Sequence, residues 1–277
     1  MSNWTQIGSD LNGQSVNDQL GSSVSLSDDG SVVAIGATGV DGTASNVGKV
    51  YIYEKDSSDI WIAQTVYFST GGAANDHLGY SVSLSSDGST LAVGIIGNDS
   101  NGLTGNGSVR LYQKNDSGIW NQKGYEIEGH TQSEFSGYSV SLSSDGSIVA
   151  IGAYYNDYYG TGTGRVGIYQ YNSETLSWSN IGDIYGEAAN DYAGYSVSLS
   201  DDGSIVAIGA HGNDDNGNDS GNVRVFENND GTWTQIGGDI YGEAANDYAG
   251  RSVSLSSDGS IVAIGAHGND ENGNNSG

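Results

Sequence analysis

Five copies of one module fill this chain, and no other feature restricts its fold so tightly. The valine of a recurring Ser-Val-Ser-Leu-Ser core stands at Val24, Val82, Val140, Val197 and Val253, in steps of 58, 58, 57 and 56 residues. The tryptophans Trp4, Trp61, Trp120, Trp178 and Trp233 keep the same beat. A period this long, made of short apolar runs and turn signals, belongs to stacked supersecondary units. Each unit buries its faces only against its neighbours. The 277 residues therefore form one continuous array, with repeats over residues 9–67, 68–125, 126–182, 183–237 and 238–277, the last one truncated.

The fourth copy shows the strands. Val197 and Leu199 alternate with serines, the period of a half-buried strand. Asp202-Gly203 follows and predicts a tight type I′ hairpin, as do the Asp-Gly pairs at Asp29, Asp87, Asp145 and Asp258. Ile205–Ile208 is continuously apolar, as in a strand covered on both sides. Val223–Glu227 alternates again, and Trp233–Ile236 makes a short outermost strand. Four antiparallel strands per copy read as one blade, with no helix anywhere. The fold class is an all-β propeller of four-stranded antiparallel blades, an incomplete ring or a fragment of a larger one. The chain opens on a lone outermost strand, Trp4–Ile7, and ends after the second strand of its fifth copy. Glycines at the strand ends (Gly36, Gly94, Gly152, Gly209, Gly265) mark close backbone approach or a positive φ.

Composition narrows the function. There are no cysteines, so disulfides and thiolate metal sites are excluded. Eight Lys and Arg face 34 Asp and Glu, a formal charge of −26. Such a surface repels nucleic acid and anionic membranes and attracts cations. No apolar run reaches the roughly 18 residues of a membrane span. The first residues carry neither the basic nor the apolar region of a signal peptide.

Gly194–Val197, Gly209-Ala210, Asp214–Gly217, Val223–Glu227 and Trp233–Gln235 resemble the FG-GAP repeats of integrin-α-like β-propellers, in the variant with a short first hairpin. The other copies match nearly as well. The family's proline after Gly-Ala is replaced by Thr38, Tyr154, His211 and His267. The resemblance implies a non-catalytic binding or adhesion module, extracellular or on the cell surface, with a protein or glycan as partner. The family's Ca²⁺ loop is not carried over, because Ser-Asp-Asp-Gly-Ser is too short to wrap an ion.

The loops between second and third strands, with the blade linkers, are long and share one face. They supply the candidate sites. Tyr154, Tyr155, Tyr158 and Tyr159 crowd one polar loop and suit a protein or sugar ligand, unless they pack on themselves. Asp214, Asp215, Asp219 and Asp270 have the ligand chemistry of a weak Ca²⁺ site without the spacing of an EF-hand, and equally that of turn closure. His77, His211 and His267 exchange with Tyr or Thr between copies, and no Ser/His/Asp set emerges, so no enzyme is expected. The alternatives are a propeller glycoside hydrolase, with paired carboxylates, or a repeat protein that self-associates through open edge strands.

Overall fold

The computed structural model describes residues 4–64, 72–271, 273 and 275–277. The repeat boundary at 67/68 and Asn272 of the last loop lie outside them.

All described regular structure is β. The first antiparallel sheet holds β1 (Leu20–Leu26), β2 (Val32–Ala37), β3 (Lys49–Lys55) and β4 (Trp61–Gln64) in that order. The second runs β5 (Leu78–Leu84), β6 (Thr90–Ile95), β7 (Ser108–Lys114) and β8 (Trp120–Gln122), with β9 (Ile127–Glu128) also on β7. The third contains β10 (Ser139–Leu142), β11 (Ile148–Ala153), β12 (Arg165–Asn172) and the long β13 (Ser177–Tyr185). In the fourth come β14 (Ser196–Leu199), β15 (Ile205–Ala210), β16 (Asn222–Asn229) and β17 (Thr232–Gln235), with β18 (Ile240–Tyr241) also on β16. A two-stranded sheet of β19 (Ser252–Leu255) and β20 (Val262–Gly265) ends the chain. Each sheet packs on the next through its first two strands, a propeller-like stack.

The apolar alternation explains the packing. Val82 and Leu84 of β5 fill the face of the first sheet beside Ala34, Val50 and Ile52. Val197 and Leu199 do the same against Ala150, Val166 and Ile168. Polar groups index each junction. The hydroxyls of Ser23, Ser81, Ser139 and Ser196 donate to the carbonyls of Gly79, Gly137, Gly194 and Gly250 in the next repeat, at 2.7–2.8 Å. The strand-end glycines are there for close approach: a Cβ at Gly152 would strike the Gly194 carbonyl. The tryptophan beat has a similar origin, since the indoles of Trp61, Trp178 and Trp233 lie where a Cβ on Gly8, Gly124 or Gly182 would point.

Two local expectations are corrected. Trp4–Ile7 forms no strand, and Trp4 is fully exposed. The Asp-Gly hairpins are not type I′, which needs positive φ at both central residues. Only the glycines take it, as at Gly203 with φ 69°. Gly203 N–H donates to Ser200 O and Ser200 N–H to Ile205 O, a type I turn followed by a glycine bulge. The aspartate stays right-handed because its carboxylate is fixed, accepting from Ser204 N–H at 2.9 Å and Ser200 Oγ at 2.7 Å. The same bonds hold the Asp29, Asp87, Asp145, Asp202 and Asp258 carboxyls below their ordinary value.

Candidate functional site

The long loops and linkers meet on one side of the stack, and one acid position there, Glu126, Asp183 and Asp239 in successive repeats, is paired differently, in the third repeat by an arginine two residues earlier on its strand. In the second repeat Arg110 Nε lies 2.9 Å from Glu126 Oε2. In the third, the buried Arg165 donates through Nε to Asp183 at 2.8 Å. Each pair joins a third-strand arginine to the acid that enters the following linker, and each closes with matched charge.

The fourth repeat breaks the pattern. Arg224 on β16 donates through Nη2 to Tyr185 O at 2.6 Å and reaches Glu187 only at 3.6 Å. Asp239, the counterpart of Glu126 and Asp183, is instead held by the Gln235 amide at 2.5 Å, Tyr241 Oη at 3.1 Å and the Asn222 amide at 3.3 Å. The phenol of Tyr241 also lies 3.5 Å from Asp215. Glu187, Asp215 and Asp239 thus bring carboxylate oxygens within 4.8 Å of one another, with one guanidinium at hand. Glu187 and Asp215 are exposed and Asp239 is half-buried, so a small molecule can reach them.

Electrostatics follow from that imbalance. Partial burial pushes the Glu187 carboxyl up; Arg224 opposes the shift, while the neighbouring acids Asp239 and Asp215 reinforce it. Acids this close disfavour one another's charge, as paired carboxyls that share a site do. The Tyr241 phenol is pushed up to about 12 by removal from water and by its hydrogen bond to Asp239. Three oxygens at this spacing also suit a divalent cation with water completing its shell.

The aspartates expected to act together are separated. Asp214 accepts the Asp219 N–H at 2.7 Å, and Asp270 the Asn275 N–H at 2.5 Å. Asp41, Asp99 and Asp157 do likewise in the earlier repeats; these carboxylates close loops. Asp219, at φ 51°, accepts from the Asn218 amide. Only Asp215 enters the cluster. Glu187, Asp239, Arg224 and Tyr241 were missed, and the readable signal was the recurrence of an acid at 126, 183 and 239 without a constant arginine partner.

The four tyrosines also divide. Tyr154 packs among Tyr138, Tyr195 and Phe135, with centroids 4.4, 5.6 and 5.9 Å away, and Tyr155 stacks on Tyr192 at 6.0 Å. Tyr158 and Tyr159 are exposed and lean on Tyr185 at 5.6 and 4.8 Å. Tyr185 is the residue whose carbonyl anchors Arg224, so this open aromatic patch adjoins the carboxylates. Burial presses His211 down to about 4 and keeps it neutral, while His77 Nδ1 sits 3.2 Å from Thr38 O. Neither lies in the cluster.

The FG-GAP repeat model matches residues 12–53, 61–112, 186–226 and 242–277, more than half of the chain. The chain belongs to the FG-GAP repeat family. No curated protein matches it in sequence. Among solved structures, this FG-GAP chain is similar to a protein assigned as a 6-phosphogluconolactonase from Bacteroides uniformis. The identity is 15% and the TM-score 0.58, over 91% of this chain and 69% of that one. It is similar also to the periplasmic gluconolactonase of Pseudomonas aeruginosa, at 20% identity and TM-score 0.56, over 88% and 64%. A second assigned 6-phosphogluconolactonase, from Bacteroides fragilis, gives 13% and 0.56 over 88% and 63%. The chain thus spans less than two thirds of the length of the last two. At these identities the likeness shows a shared fold.

The same likeness corrects the expectation of a non-catalytic adhesion module. That reading rested on fold resemblance, and the solved structures that share this fold carry the names of lactone-hydrolysing enzymes. The acidic groups that the fold brings together are Glu187, Asp215 and Asp239.

Proposed function

We propose that this FG-GAP chain is a hydrolase that opens a cyclic ester of an uncharged sugar acid at the Glu187–Asp215–Asp239 cluster. The observation that carries the reading is the excess of carboxylates over cations in the fourth repeat, with Glu187, Asp215 and Asp239 within 4.8 Å of one another and the Glu187 carboxyl raised. Asp215 takes a proton from water as the water oxygen bonds to the ester carbonyl carbon. The oxyanion collapses, the ring carbon–oxygen bond breaks, and Glu187 gives its proton to the departing ring oxygen. Proton transfer from Asp215 to Glu187 within the cluster restores the starting state. Tyr158, Tyr159 and Tyr185 offer rings against which a sugar face stacks.

The charge of −26 selects a neutral lactone over a phosphorylated one and repels the carboxylate product. We assign the weak Ca²⁺ expected of the loops to the deprotonated form of the same cluster, Asp215 with Glu187 and Asp239, where it competes with the Glu187 proton, since Asp214 and Asp270 are engaged by backbone N–H groups. We also read the sheets as five repeats of one propeller and place the protein outside the cytoplasm, as the description of one neighbour as periplasmic favours.

A pH-stat assay with gluconolactone, 6-phosphogluconolactone and aryl glycosides tests the proposal. Turnover of gluconolactone, reduced about 10²–10⁴-fold in Glu187→Gln, is the expected result. Preference for an aryl glycoside, with the same loss in Glu187→Gln, supports instead the second use of paired carboxylates about 5 Å apart, a retaining glycosidase. No turnover of any of the three overturns the reading.

A further inference from the structure

In the second, third and fourth repeats one register position of the third strand changes its occupant. Arg110 stands there opposite Val93, Gly167 opposite Ile151 and Arg224 opposite Ile208. Arg110 is spent on Glu126, Nε to Oε2 at 2.9 Å. At Gly167 a Cβ would meet Arg165 Nη2 at 2.8 Å. The missing side chain leaves room for the Arg165 guanidinium, which is spent on Asp183 and the Tyr169 phenol. Arg224 is the exception. Asp239, the acid that Arg110's pairing would give it, is taken by Gln235, Tyr241 and Asn222.

Arg224 is nonetheless held in place. The residue is buried, its Nη2 donates to Tyr185 O at 2.6 Å, and its Cζ lies 5.4 Å from the centre of the Phe226 ring. Nη1 stops 3.6 Å from Glu187 Oε1, too far for a hydrogen bond. A fixed cation therefore stands beside an acid without being committed to it. Its guanidinium keeps its proton at any working pH. An ester carries two oxygens on one carbon, and an acid next to a fixed N–H donor matches that pair. The acid suits the oxygen that leaves, and the donor suits the oxygen on which charge develops.

We propose that Arg224 is a further catalytic residue, whose Nη1–H receives the carbonyl oxygen of the ester and holds it as an oxyanion; this rests on the hydrolase reading above. As Asp215 takes the proton of water and the water oxygen bonds to the carbonyl carbon, the electron pair of the C=O bond moves onto that oxygen, against Nη1. The pair returns as the ring carbon–oxygen bond breaks and Glu187 protonates the ring oxygen. Arg224 gives up no proton at any point. A glycoside has no carbonyl oxygen at its reacting carbon, so this donor selects an ester over an acetal. Tyr185 O, by fixing Nη2, aims Nη1 before the substrate arrives.

A pH–rate profile of gluconolactone hydrolysis tests it, on wild type, Arg224→Gln, Arg224→Lys and Arg110→Gln. Arg224→Gln is expected to lower kcat at the top of the profile by about 10²–10³-fold, with KM little changed, and added guanidinium is expected to restore part of the rate. Arg224→Lys keeps the charge but cannot bond Tyr185 O and the ester together, and its kcat is expected to fall between the two. Arg110→Gln is expected to keep the wild-type kcat per folded molecule. Melting curves confirm folding; if Arg224→Gln does not fold, the loss of kcat in Arg224→Lys decides. A profile that shifts along the pH axis but keeps its maximum overturns the proposal, because Arg224 would then act only through the charge of Glu187. So does Arg224→Lys at the wild-type kcat. The hydrolase reading fails separately, on wild type alone: a chain that does not open gluconolactone overturns both, whereas one that does so equally well without Arg224 overturns only this proposal.

Discussion

The second and third repeats and the fourth use one acid position, Glu126, Asp183 and Asp239, for opposite ends. In the earlier two, Arg110 meets Glu126 and Arg165 meets Asp183, and the charges cancel. In the fourth, the arginine turns to a carbonyl and Asp239 is left beside Glu187 and Asp215. A charge that is matched serves the fold. Charge left unmatched at an accessible spot raises a carboxyl and stands ready to exchange a proton or hold a cation. Repetition supplies the scaffold, and a departure from it supplies the site.

The comparison predicts a division of effects. Glu187→Gln and Asp239→Asn lower kcat on gluconolactone by about 10²–10⁴-fold with little change in melting temperature. Glu126→Gln leaves kcat untouched. A loss of activity at Glu126 equal to that at Glu187 would erase the distinction between repeats. Asp183→Asn acts oppositely: it strands the buried Arg165 and costs up to about 3 kcal/mol of stability, discounted because Asp183 is partly exposed. Denaturant unfolding reads that loss, and the rate per folded molecule is unchanged.

The tyrosines sharpen the contrast next. Tyr158→Ala raises KM several-fold without lowering the melting temperature. Tyr154→Ala, which removes a ring from the packed cluster, lowers the melting temperature and leaves KM alone. Steady-state kinetics and thermal melts on the same two variants check both.

The smallest effect is the pH dependence of stability. The hairpin aspartates are held below their ordinary value, Asp258 at about 2. Their contribution is present above the unfolded value near 3.8 and is lost as pH falls through the folded one. Asp76 and Asp191 are raised by burial. Their contribution has the opposite sign, present below 3.8 and lost as pH climbs through the folded value. Melting temperature should therefore fall gently from pH 4 to 2, and the fall should flatten when Asp87 and Asp145 are both replaced by Asn.

Much of the fold was legible because each repeat carries its own periodic pattern. Val197 and Leu199 announced a face, the apolar run from Ile205 a covered strand, and the Asp-Gly pairs the hairpins. The turn type was not legible, because it depends on a serine hydroxyl that locks the aspartate. Nor was the fate of Trp4, which needs a partner strand. The site was legible only at Asp215. Glu187, Asp215 and Asp239 lie in a linker, a loop and the approach to β18, and only strand register brings them together. Asp214, adjacent to Asp215 in sequence, is spent on closing its own loop.

The most direct measurement is a carbon-13 NMR titration of the glutamate side-chain carboxyls in the intact chain and in Asp239→Asn. The account predicts that Glu187 titrates above the ordinary glutamate range and moves back toward it when Asp239 loses its charge. A Glu187 that titrates at or below that range, or is unmoved by Asp239→Asn, would contradict the claim that the fourth repeat holds an unneutralised, proton-sharing cluster.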